Sequence, residues 1–352
     1  MKIFFISSKH FDDLLESLSK QCAVYVPKKI EGSWVYRKYV SGSPFEFNDT
    51  CAIQPAKSFM FVAAEKVAEY PSGEPDKVIK AEPVAIIGMK ACDVRGLECL
   101  DAQFLTGDFI EPFYEARRKN SIIITTECYN PENTCFCNLM AIVPFVKEDT
   151  GAKGIDLNIS VAQGGFLLDA LSEKGQKIVD ENKTLFNEPS SAMLQERDKK
   201  RAELIAKLEA INKDYKTSKS RKELLREKLL SDKWQIAVEP CVECGACLFV
   251  CPTCHCFLLY DQKAGGKNER FKVWDACIYS GYARMAGGGS PRPRHLERFR
   301  HRFLHKYDYF VDNFKIEACT GCGRCIRGCM GNIDIRKVFK LMDIEEDIPV
   351  NK

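Results

Sequence analysis

One cysteine spacing dominates this chain, and it occurs twice. Cys241-x2-Cys244-x2-Cys247-x3-Cys251-Pro252 and Cys319-x2-Cys322-x2-Cys325-x3-Cys329 repeat the same four-cysteine pattern. Three thiolates spaced two residues apart can wrap one side of an iron–sulfur cubane, because a tight turn points successive sulfurs inward. The fourth, three residues on, opens a helix, faces away from that cubane and ligates the other cluster of a two-cluster ferredoxin. The pattern therefore predicts two [4Fe–4S] clusters. Cys241, Cys244, Cys247 and Cys329 would hold one, and Cys319, Cys322, Cys325 and Cys251 the other. Gly245 and Gly323 are expected where backbone must approach inorganic sulfide closely. Zinc, the rival metal, prefers two C-x2-C knuckles separated by a dozen or more residues.

Composition supports metal over disulfides. The 352 residues include 18 cysteines, and the N-terminal apolar run is too short for an export signal. Thiols in a reducing, cytoplasmic setting are metal ligands more often than disulfides. The formal charge of +3 gives no global pull towards nucleic acid. No stretch reaches the length and apolarity of a transmembrane helix.

The cysteines also partition the chain. Seven precede residue 140, none lies between Cys137 and Cys241, and eleven follow. The reading is an α+β protein in three parts. Residues 1–190 form a mixed α/β domain, with strands at Lys2–Ile6, Ala23–Pro27, Val84–Gly88 and Ser121–Thr125. Helical periodicity marks Phe11–Gln21 and Val94–Phe104, and Asp156–Val161 followed by Gly164-Gly165 suggests a hairpin. Residues 191–233 carry mixed charge over two apolar stripes, Leu204/Ile205/Leu208/Ile211 and Leu224/Leu225, and read as a solvated helical hairpin. Residues 234–352 form a ferredoxin-like dicluster domain with a long insertion from Pro252 to Ala318.

Two further groups of thiols lie outside the repeated motif. Cys92 follows one expected strand, and Cys128-x6-Cys135-Phe136-Cys137 follows another. Strand ends of an α/β sheet converge on one edge, so these four form either a third metal site or buried thiols. Within the insertion, Cys254, Cys256 and Cys277 are open to three roles, ligating another metal, guarding the clusters or simply packing, and packing is the default because cysteine is among the most buried residue types. Cys22, Cys51 and Cys99 show no clustering and are assigned to core or surface. Arg292, Arg294, Arg298, Arg300, Arg302 and Lys306 surround His295, His301 and His305, which suggests a basic arm that neutralises clusters or clamps a partner.

Together these strings resemble a specific group of dicluster proteins. Cys241–Phe257, Trp274-Asp-Ala-Cys277, Arg300–Lys306 and Cys319–Cys325 match in order, as do Ala91-Cys92-Asp93 and Glu127–Cys137. The group comprises the 4Fe-4S dicluster subunit of anaerobic sulfite reductase together with the beta subunit of cytoplasmic sulfhydrogenases. The resemblance implies a third iron–sulfur cluster on Cys92, Cys128, Cys135 and Cys137. It also implies an electron-transfer subunit of an anaerobic oxidoreductase complex, without a substrate site or flavin of its own. Electrons would pass between a catalytic subunit of sulfite reductase, nickel–iron hydrogenase or heterodisulfide reductase type and a flavin- and NAD(P)-binding subunit. The alternative is a self-sufficient iron–sulfur reductase with a substrate or flavin site in the N-terminal domain. Against it, that domain offers no G-x-G-x-x-G, no nucleophile elbow and no evident His–carboxylate pair.

Overall fold

A computed structural model of the chain describes residues 2–70, 81–146 and 154–345. Its N-terminal part is built on one mixed sheet. The strands are β1 (Ile3–Ser7), β2 (Ala23–Ile30), β3 (Ser33–Lys38), β4 (Ala64–Tyr70), β5 (Val84–Met89), β6 (Ser121–Thr126), β7 (Leu157–Ala162), β8 (Gly165–Ala170) and β9 (Phe186–Asn187). All but β4 join in the order β3-β2-β5-β6-β7-β8-β1-β9. The central β2, β5, β6 and β7 run parallel, with Val84 paired to Ser121 and Ile124 to Leu157. A parallel centre is covered on both faces, so its strands read as unbroken apolar runs rather than alternating ones. Val84–Met89 obeys this and Ser121–Thr126 does so over Ile122–Ile124, with Ile86, Ile87, Ile123 and Ile124 all buried. The expected hairpin is β7–β8, closed around Gly164 at φ 77°. Helices Ser8–Ser19 and Ala91–Phe104 occupy the two stretches of helical periodicity.

A second sheet ties the N-terminal part to the insertion. Within the insertion, β10 (Phe257–Ala264) and β11 (Lys267–Trp274) form a hairpin over Gly265-Gly266, both at positive φ. β4, from the N-terminal part, adds to β11 in antiparallel register. Buried Lys272 of β11 pairs with Glu65 of β4 at 2.7 Å and with Glu111 at 3.0 Å.

The charged segment forms a 22-residue helix, Ser191–Asn212, and a short one, Arg221–Glu227. Most of its charges face outward, but Arg197 is buried and Arg201 reaches the buried Glu127, while Leu204 and Leu208 pack against Cys135, Cys137 and Phe145. The long helix thus roofs the N-terminal cysteine loop as well as facing solvent. Beyond it, Trp234, Phe299, Phe303, Tyr307 and Phe339 make the C-terminal core. Helix Ile335–Asp343 contributes Ile335, Val338, Phe339 and Met342, the spacing of one helix face.

Candidate iron–sulfur sites

The two motif loops take one backbone path. In the first, Glu243 and Gly245 are left-handed at φ 54° and 74°; in the second, Gly321 and Gly323 are left-handed at 62° and 75°. Two reversals between successive cysteines turn three thiols to one side. Each loop then enters a one-turn helix, Ala246–Phe249 or Arg324–Arg327, which delivers the fourth cysteine. The glycines are fixed by protein neighbours as well as by φ. A Cβ on Gly245 would meet the Tyr279 hydroxyl at 2.4 Å, and one on Gly323 the Thr134 carbonyl oxygen at 2.5 Å.

Cys241, Cys244, Cys247 and Cys329 line one cavity, with Cys325 at its inner wall. Cys251, Cys319, Cys322 and Cys325 line the next. Each cavity is thus lined by the four cysteines of one expected set, and Cys325 lines both. A third cavity, at the C-terminal ends of β5 and β6, is lined by Cys92, Cys128, Cys135 and Cys137. Cys51 and Cys322 line it too. Cys51, assigned from sequence to core or surface, therefore stands with this group, its thiol hydrogen-bonded to that of Cys92. No spacing rule could have found it, because the loop that carries Cys51 reaches the site only through tertiary folding.

Buried polar groups hold the strand ends that present these thiols. The Glu127 carboxylate accepts from Ser160 at 2.8 Å, Tyr129 at 2.6 Å and Arg201 at 2.9 Å. Lys90 Nζ donates to Thr126 Oγ1 and the Glu127 carbonyl, both at 2.8 Å. Asp93 forms a fully buried pair with Arg324 of the second motif, 2.8 Å apart. Arg324 also donates to the Ala52 carbonyl at 2.6 Å. The Phe136 amide donates to the Gly321 carbonyl at 2.7 Å, so the N-terminal cysteine loop lies directly on the second motif.

The cationic helix is only partly a surface arm. Arg294 and Arg300 stay outside, bonded to Glu297 and the Leu229 carbonyl. Arg298 turns inward to Glu243, 2.7 Å away, on the first motif loop. Arg302 and Lys306 are buried among the cysteines, and a π-helical turn over His305–Tyr309 carries Lys306 to Cys251 Sγ at 3.2 Å. Burial keeps His301 and His305 neutral, pushing both well down, to about 4 and about 3.

These thiols suit clusters better than single ions. The described residues hold no group of three or more His, Cys, Asp or Glu side chains able to share one metal ion. A zinc would draw its sulfurs to about 2.3 Å from a single point, whereas a cubane, with an iron at each corner, needs ligands spread around a cavity. Burial pushes the Cys128 and Cys137 thiols up to about 12. Bare, they hold their protons; metal binding would release them.

Residues 240–333 match the family of 4Fe-4S dicluster domains. The chain carries iron–sulfur clusters. Over 343 residues, 96% of this chain and 98% of the relative, it is 28% identical to the sulfhydrogenase 2 beta subunit of Pyrococcus furiosus. It is thus similar to the sulfhydrogenase beta subunits over nearly its whole length, charged helices included. Among the described residues no helix is long and apolar enough to cross a membrane.

Proposed function

We propose that this chain is the iron–sulfur electron-transfer subunit of a cytoplasmic anaerobic oxidoreductase complex. It would relay electrons between a catalytic subunit of sulfite reductase, nickel–iron hydrogenase or heterodisulfide reductase type and a flavin- and NAD(P)-binding subunit. The observation that carries the reading is the contiguity of the cysteine cavities. Cys322 lines both the N-terminal and the middle cavity, and Cys325 both the middle and the outer one. One backbone carbonyl, that of Cys322, accepts from Cys51 and Cys135 across the first of these walls.

In this reading Cys92, Cys128, Cys135 and Cys137 hold one cluster, with Cys51 beside them. Cys319, Cys322, Cys325 and Cys251 hold a second, and Cys241, Cys244, Cys247 and Cys329 a third. When bound, each cluster supplies one-electron storage. The protein holds the sites in series, buries them, and places Lys306 and Arg302 where anionic clusters need compensation. The outer site has the exposed cysteine, Cys244, with Val242 64% and Met330 74% exposed beside it. That face suits docking of a partner subunit.

Anaerobic purification from the native host tests the reading. The relay requires at least about eight irons per chain, and about twelve where the N-terminal site fills as well, with reduction by dithionite and a co-purifying flavoprotein. Flavin bound tightly to the isolated chain, or turnover by that chain alone, would favour the self-sufficient reductase instead. Stoichiometric zinc in place of iron would overturn the cluster assignment.

A further inference from the structure

The insertion contains a fourth cavity that neither the repeated motif nor the N-terminal group accounts for. Cys254, Cys256 and Cys277 line it together with His255 and His305. Arg302 and Lys306 complete its polar wall. Its empty space, open solvent included, is about 290 Å³, close to the 310 Å³ around Cys251, Cys319, Cys322 and Cys325.

From sequence, packing is the default reading of these three thiols, with a further metal site among the alternatives. The structure gives them the wrong neighbours for packing. A thiol buried as a hydrophobe sits against apolar carbon, whereas this cavity presents two cations, two imidazoles and no carboxylate. Arg302 is 5% exposed, yet its Nε and Nη2 find no hydrogen-bond acceptor in the protein. An unpaired buried cation is costly and is retained where an anion compensates it. Arg302 lines the outer and middle cavities as well. It therefore stands where three cysteine cavities meet, with donors to spare.

We propose that Cys254, Cys256 and Cys277 hold a further iron–sulfur cluster, the fourth in the chain. His255 and His305 line the same cavity, and either imidazole would supply the ligand that three thiols leave wanting. His255 Nδ1 lies 2.9 Å from the Thr253 carbonyl. A proton on that nitrogen would leave Nε2 as the basic atom, the arrangement by which a second partner orients a ligating histidine. The cluster's negative charge would satisfy Arg302 and offset Lys306. A single ion suits the site less well, since no three side chains here converge on one point.

The proposal rests on the electron-transfer reading, and iron counting separates the two. Anaerobically purified wild-type protein should contain about sixteen irons with matching sulfide, and its native mass should show four clusters. The double variant Cys256→Ser/Cys277→Ser should lose about four of those irons while the spectra of the other clusters persist. Wild type with about twelve irons, and a double variant with the same count and spectra, would overturn the fourth cluster and leave the relay standing. One zinc beside three clusters would likewise overturn it. Wild type with fewer than about eight irons would sink the relay itself. Should the double variant not fold, the wild-type native mass decides.

Discussion

The two motif loops share their cysteine spacing and their two left-handed turns, yet they live in opposite surroundings. Around the first, Cys244 is exposed and the loop is braced by side chains: Arg298 on Glu243, and Tyr279 donating to the Cys244 carbonyl at 3.1 Å. The second is enclosed by the N-terminal part, with Arg324 fully buried and Gly321 and Gly323 set against the backbone of residues 134–137. The spacing dictates a local shape, and the residue between cysteines decides what the loop is joined to. After Gly245 comes Ala246; after Gly323 comes Arg324, which crosses to Asp93 beside Cys92. One loop opens to solvent, the other is a joint.

The largest expected effect comes from breaking that joint. Arg324→Met leaves Asp93 charged and buried without its partner, and should destabilise the protein by about 3–5 kcal/mol. Denaturation of the anaerobic protein measures it. Asp93→Leu combined with Arg324→Met should recover much of the loss, because neither charge is then left alone. A single variant as stable as wild type would mean that the pair does not join the two parts.

The glycines give a smaller contrast. Both sit at positive φ, where alanine costs about 1 kcal/mol. At Gly245 the obstacle is the end of the Tyr279 side chain, which can rotate away. At Gly323 it is the carbonyl of Thr134, fixed by the fold. Gly323→Ala should therefore cost about 2–4 kcal/mol, the overpacking term added to the conformational one, against about 1 kcal/mol at Gly245. Equal losses in parallel unfolding curves would erase the distinction between the loops.

The same contrast explains what was legible in the sequence. Val84–Met89 could be read as a strand because a parallel strand covered on both faces must be apolar throughout. Ala64–Tyr70 could not, since its Glu and Lys side chains become a strand only by pairing with β11, some two hundred residues away. The eight motif cysteines were visible because turn geometry fixes their spacing. Cys51 was invisible because only tertiary folding brings it to Cys92. Arg302 and Lys306 were seen as basic residues, but a charge pattern does not say which side chains turn inward.

The smallest expected effect concerns the metal. The outer cavity has the exposed thiol of Cys244 at its mouth, whereas Cys251 and Cys319 of the middle cavity are buried. A strong ferrous chelator reaches the first site directly and the second only after the protein opens around Arg324 and the N-terminal loop. Iron should therefore leave in two phases, the outer site emptying about tenfold faster, a barrier difference of about 1.4 kcal/mol. Following the visible absorbance and the reduced-cluster spectra during chelation would separate the phases. Arg324→Met should quicken the slow phase and leave the fast one unchanged, since that substitution loosens only the joint. Binding of the partner subunit over Val242 and Met330 should do the reverse, slowing the fast phase alone. Loss of all iron in one phase, insensitive to both, would show that burial does not distinguish the loops.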